Sequence, residues 1–165
     1  MAEYQHIKRE FGPVWDELST ILILGSFPSV KSREAQFYYG HPQNRFWRVL
    51  STVLGCAMPE SVEGKRALLL SHRIALWDVL EECDISGSSD SSIKNAVPVD
   101  IMAVLNTANI QKIYCNGTAA HTLFMRHLYP ICDIEAVKLP STSPANAAWT
   151  YERLCHAWSI ITDVL

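Results

Sequence analysis

Two stretches of this chain gather side chains that can do chemistry at close quarters. The first begins Gly25-Ser26-Phe27-Pro28-Ser29 and continues to Phe37-Tyr38-Tyr39-Gly40-His41-Pro42-Gln43-Asn44-Arg45-Phe46-Trp47. The second is Leu139-Pro140-Ser141-Thr142-Ser143-Pro144-Ala145-Asn146. Gly25 lets the backbone turn sharply, and Pro28 stiffens the loop. Three consecutive aromatics in a loop are unusual, because each normally buries about 150–250 Å² in a core. With two packed inward, one is left to stack on a planar base, a contact worth about 1–3 kcal/mol. Lys31, His41 and Arg45 surround them and suit phosphate contacts.

Asn44 precedes an apolar helical pattern, where Asn commonly caps the helix. It also offers one carbonyl and two N–H donors, enough to hold a water or a substrate atom. An Asn is no general base near neutral pH, so its contribution is positioning, or a carbonyl dipole aimed at developing positive charge. The hydroxyls of Ser141, Thr142 and Ser143 and the amide of Asn146 can bind phosphate oxygens without bringing charge. By composition alone that segment is only a loop. Asn116-Gly117-Thr118 reads as a strand-to-helix turn with Thr118 as the N-cap, the alternative being a phosphate site at the helix start.

Other chemistries are excluded. Five cysteines stand at positions 56, 83, 115, 132 and 155 with no CxxC pair, which argues against a disulfide framework, a zinc knuckle or an iron–sulfur cluster. No metal or cofactor is expected. No GxSxG elbow is present, and no Ser/His/acid set is evident. Lys31 lies near Arg33 in a polar loop, which suits phosphate contact better than Schiff-base formation.

The elements that must hold these loops are those of an α/β fold. Ile21–Leu24 is a continuous apolar run, as in a strand covered on both faces. Further strands are expected at 74–77, running on through Asp78 to Leu80, at 110–115 and at 134–139. Helical spacing occupies 46–54, 63–72, 99–107, 118–128 and 147–164. Strands separated by helices mean a short, mainly parallel four-stranded sheet flanked by helices. In such sheets ligands bind beyond the carboxyl ends of the strands. The loops singled out above lie there.

The 165 residues suit one domain spanning 1–165, with 48% hydrophobic and 19% charged residues. No apolar run reaches the length of a membrane span, and the first residues lack the apolar stretch of a signal peptide. An intracellular, cytoplasmic protein is expected. Net charge is −3, yet residues 30–73 hold seven Lys/Arg against three Glu, a local +4. That asymmetry can give an acidic protein one phosphate-facing side.

Four blocks in order, GSFPS, YYGHPQNRFW, ALWDVL and LPSTSPANA, resemble the uracil-DNA glycosylase superfamily. Within it the resemblance is closest to the hypoxanthine-DNA glycosylase (DNA-deoxyinosine glycosylase) family. It implies a base-flipping, monofunctional repair enzyme that hydrolyses an N-glycosidic bond without metal or cofactor. It implies Asn44 as the catalytic residue, with Gly25, Ser26, Phe27, Tyr39 and Asp78 around the base. Lys31, His41, Arg45, Ser141, Thr142, Ser143 and Asn146 would contact DNA, the last four in a loop that enters the duplex. The partner would be double-stranded DNA, with single-stranded DNA as a second form, and the protein a monomer. Other branches carry Asp or Asn soon after the first glycine, where this chain has Ser26-Phe27. Their cysteine cluster is absent too. Two alternatives stay open: uracil, xanthine or mismatch specificity on the same fold, and a non-catalytic binder of damaged DNA.

Overall fold

The apolar runs become the interior strands. The computed structural model describes residues 3–165. In chain order its elements are β1 (Gln5–Lys8), β2 (Ile21–Gly25), α1 (Val30–Ala35), α2 (Phe46–Leu54), α3 (Val62–Ser71), β3 (Ile74–Asp78) and β4 (Leu80–Ile85). Then come β5 (Lys94–Pro98), α4 (Met102–Leu105), β6 (Lys112–Asn116), α5 (Thr118–His127), α6 (Tyr129–Cys132), β7 (Ala136–Leu139) and α7 (Tyr151–Trp158). Strands β3, β2, β6 and β7 form, in that order, the expected four-stranded parallel sheet. Every residue of β2 and β3 is buried. Each such Leu or Ile contributes about 1.5–3 kcal/mol relative to exposure. Helix α3 packs on β3, α5 on β6 and β7, and α2 on α7.

A second sheet was not expected. β1, β4 and β5 pair antiparallel with β4 in the middle. The sequence run through Asp78 to Leu80 conceals a change of sheet: β3 ends at Asp78, and after one residue Leu80 opens β4. Buried residues of both sheets, among them Leu24, Trp77, Leu80 and Ile85, share one apolar core.

Several expected boundaries move. The third and fourth parallel strands start later, at Lys112 and Ala136, and the helix expected over 99–107 shrinks to α4. The last helix begins at Tyr151, because the Thr150 side chain caps it by accepting from Arg153 N. Its final turns are a 3₁₀ segment, Ser159–Val164. Thr118 is not a cap: Gly117 holds that position with φ +96°, without a side-chain bond. Helix α1 was also unforeseen, and Ser29 caps it by accepting from Ser32 N.

Candidate active site

The carboxyl ends of the parallel strands converge on one cleft of about 300 Å³. Gly25 ends β2, Asp78 ends β3, Asn116 ends β6, and the segment after β7 supplies Ser141 to Ala145.

The floor is made by Gly25 and Asp78, which are paired across β2 and β3. A Cβ on Gly25 would collide with Asp78 Oδ1 and come within 2.9 Å of the Tyr39 hydroxyl. Only hydrogen fits there. Asp78 is 4% exposed, and its Oδ2 accepts from Arg9 Nη1 at 3.1 Å. Burial pushes its carboxyl above the usual range, and the Arg9 guanidinium pulls it part of the way back. Arg9 is itself buried, donating to Phe11 O, Leu80 O and the Tyr38 hydroxyl. It belongs to the linker after β1, and nothing in its sequence surroundings marked it.

Of the three aromatics, Phe37 and Tyr38 are buried in the core while Tyr39 lines the cleft. Tyr39 adopts φ +53°, a left-handed conformation that turns its ring out of the run. The ring stacks on Phe46 with centroids 4.1 Å apart. Its hydroxyl is buried beside Gly25 and Asp78 without a hydrogen bond. Burial, reinforced by Asp78, pushes the phenol far above its usual value. Phe27, 8% exposed, contributes a second aromatic wall.

Asn44 stands one residue before the helix cap. Its Oδ1 accepts from Phe46 N–H and from the Thr142 hydroxyl, both at 2.9 Å. Thr142 Oγ1 in turn accepts from Asn116 Nδ2, and Thr142 N–H donates to Asn116 Oδ1, both at 3.0 Å. Because a backbone N–H can only donate, the Asn44 amide has a single consistent orientation. Its carbonyl is occupied, and its Nδ2 has no partner among the described residues. The carbonyl dipole is therefore not free to face a substrate. The donors the side chain has left are its two N–H groups, on a residue that lines the cleft.

The residues expected to contact DNA separate. His41, Ser141 and Ser143 line the cleft. Asn146 is partly buried, its amide donating to Ser141 O. Thr142 is fully buried, and its hydroxyl is committed between Asn44 and Asn116. Arg45 turns inward, its guanidinium donating to the carbonyls of Trp149, Ser143 and Asn146. It ties down the loop and has no free fork for a phosphate. Lys31 is exposed on α1 beside Glu34, outside the cleft lining. Ser26 donates its hydroxyl to Asp90 Oδ1 at 2.6 Å. Asp90 lies in the Gly/Ser-rich β4–β5 connection.

The chain matches the family model for the uracil DNA glycosylase superfamily over residues 13–164. A hypoxanthine DNA glycosylase of Methanosarcina acetivorans is 36% identical over 151 residues, covering 89% of this chain and 93% of that protein. One from Methanosarcina barkeri is 39% identical over 113 residues, covering 67% and 71%. A solution NMR structure from Methanosarcina acetivorans, solved under the name of a uracil DNA glycosylase, superposes with a TM-score of 0.78. It is 32% identical and covers 96% of this chain and 99% of that one.

Proposed function

This chain belongs to the uracil DNA glycosylase superfamily, and from that premise we propose that its cleft excises hypoxanthine from deoxyinosine in DNA. The protein is a DNA glycosylase, a hydrolase of N-glycosyl bonds. Inside a duplex the glycosidic carbon is out of reach, so the nucleotide must rotate out at a cost of a few kcal/mol, least where pairing is already weak. The exposed Pro144-Ala145 tip, held by Arg45, is the part of the cleft rim that enters the vacated space. His41, Ser141 and Ser143 supply donors for the flanking backbone.

Within the cleft the base lies against Tyr39, whose far face is backed by Phe46. Hypoxanthine presents an N1–H donor beside an O6 acceptor. In this reading Asp78 Oδ1 accepts from N1–H, and the N–H groups of Ser26 and Phe27 donate to O6. Among the described residues neither of those N–H groups donates elsewhere. Adenine presents the reversed pattern, an acceptor at N1 and a donor at C6, so it leaves the carboxylate facing a lone pair. Hydrolysis then needs water below C1′ as the bond to N9 lengthens. An Asn44 N–H donates to the water oxygen and holds it there, while another water lone pair faces C1′. Such positioning supplies several kcal/mol of the barrier. Lys31 lies outside the cleft lining, which supports a monofunctional enzyme that leaves an abasic site.

The observation that carries this reading is the Asn44 amide, pinned by its carbonyl in a cleft that Tyr39 also lines. Its test uses end-labelled duplexes containing inosine, uracil, xanthine or no lesion, treated with hot alkali after incubation. Cleavage at inosine that disappears in Asn44→Ala is expected. Cleavage at uracil alone would move the base assignment. Binding without cleavage of any duplex would leave a damaged-DNA reader.

A further inference from the structure

Loss of a purine leaves negative charge on its ring system, and a general acid that neutralises it accelerates such steps by about 10²–10⁴-fold. The water-holding Asn44 cannot do this. We infer that Asp90 is a catalytic residue that protonates a ring nitrogen of the departing purine. This rests on the hypoxanthine assignment above and adds the leaving-group half of the reaction.

The geometry carries the assignment. Asp90 lines the same cleft as Tyr39, Asn44 and Asp78, yet it arrives from the second sheet. Its connection, residues 86–93, is tied at three points onto the loop after β2 and the helix α1 that follows it. Ser26 Oγ donates to Asp90 Oδ1 at 2.6 Å, Val30 N–H to Ser88 Oγ at 2.8 Å, and Arg33 Nη2 to Gly87 O at 3.2 Å. The carboxyl is thereby held beside the end of β2, with Oδ2 left for a ligand.

The two carboxyls of the cleft have opposite surroundings. Asp78 is paired with a buried guanidinium, which favours its charged form. Asp90 has a hydroxyl as its partner, and among the described residues no cation pairs with it. Asp90 is exposed at the cleft rim, yet the packing around its carboxyl pushes it above the usual range, with the Ser26 bond opposing. The charged or titratable groups around it are Asp78, Tyr39 and His41 in the cleft, Cys83 on β4, Arg33 on α1 and Lys138 on β7. Two carboxyls in one cleft, one paired with a guanidinium and one without a cation beside it, divide the work of reading and protonating the base.

The step balances. The C1′–N9 bond breaks with its electron pair passing to the purine, and the Asp90 proton goes to N7 or N3. The water oxygen bonds to C1′ and releases a proton to solvent, from which Asp90 is reprotonated. No oxidant, metal or further reactant is needed.

The test is single-turnover excision of inosine between about pH 5 and 9 by wild type, Asp90→Asn, Asp90→Glu and Ser26→Ala. Asp90→Asn keeps an acceptor for Ser26 and removes only the proton. It is expected to slow excision by about 10²–10³-fold and to abolish the decline of the wild-type rate with rising pH. Asp90→Glu should recover part of both, and Ser26→Ala should keep the pH dependence. Binding to an abasic duplex, measured alongside, reports folding. Asp90→Asn within about threefold of wild type would overturn the inference, as would an unchanged pH profile or an equal loss in Ser26→Ala. A wild type that leaves inosine intact but cuts uracil would remove the base assignment, and this inference with it.

Discussion

Asn44 Oδ1 and Thr142 Oγ1 are 2.9 Å apart, a hydrogen bond between residues separated by 98 positions. It fixes which end of the amide faces the cleft and ties the start of α2 to the loop after β7. An Asn44→Asp variant retains both acceptor bonds and loses only the N–H donors. Its thermal stability should stay near wild type while excision falls by at least about 10²-fold. Asn44→Ala should lose the same activity and, with its hydrogen bonds, about 0.5–1.5 kcal/mol of stability as well. Undiminished excision by Asn44→Asp would mean that a carboxylate activates the water, and would sink the donor role.

Thr142→Val deletes the buried hydroxyl between two amides. The Asn116 Nδ2 group loses its acceptor, an omission that costs about 1–3 kcal/mol. Urea denaturation should register that loss, and excision should drop because Asn44 can then swing. Thr142→Ser, which keeps the hydroxyl, should restore both. If valine leaves the rate untouched, the chain of three side chains has no part in orienting Asn44.

Gly25→Ala places a methyl between Asp78 Oδ1 and the Tyr39 hydroxyl. Asp78 cannot retreat, since Arg9 holds it from behind. Overpacking of this kind costs about 1–3 kcal/mol, and the base loses its floor. Excision of inosine should be abolished while general affinity for duplex DNA persists. A gel-shift titration beside the cleavage assay separates the two effects, and full cleavage by the alanine variant would refute the floor assignment.

Arg9→Met leaves the Asp78 carboxylate buried without its counter-ion. Breaking such a pair costs about 3–5 kcal/mol, so the midpoint of urea unfolding at neutral pH should fall sharply. The double variant Arg9→Met/Asp78→Asn should recover part of the loss, because no buried charge is then stranded. Additive losses in that cycle would show the two residues to be independent.

His6 and Asp84 join the first strand to β4 at 2.7 Å. Their hydrogen bond raises His6 above 6.5, while Asn95 first and then His6 lower Asp84 below 3.8. The His6 contribution is complete below pH 6.5 and is lost as pH rises through its raised folded value. The Asp84 contribution is complete above pH 3.8 and is lost as pH falls through its lowered one. Both side chains reach solvent, so the effect is small. Melting curves should show a slight decline above pH 6.5 that is missing in His6→Gln.

The parallel sheet was legible because strands covered on both faces must be apolar throughout, and Ile21–Leu24 is unmistakable on that ground. The antiparallel sheet was hidden for the opposite reason. β1 is largely exposed, β4 interrupts its alternation with register shifts, and β5 ends in a proline. Asn44 and Tyr39 could be picked out by type and position. Arg9 and Asp90 could not, since their partners lie 69 and 64 residues away and only folding brings them together. Arg45 and Thr142 show the same gap from the other side. A cation and a hydroxyl beside a DNA-facing loop read as phosphate ligands until their hydrogen bonds are seen to run inward.

The distance in sequence between Asn44 and Thr142 has a consequence during protein synthesis. At about 5–20 residues per second, the hydroxyl leaves the ribosome about 5–20 s after the amide it orients. A nascent or truncated chain therefore carries the aromatic platform and an unset amide, with β6, β7 and the loop beyond them still missing. On the proposed mechanism, with Asn44 holding the water, the chain stays inert until the loop after β7 has been made.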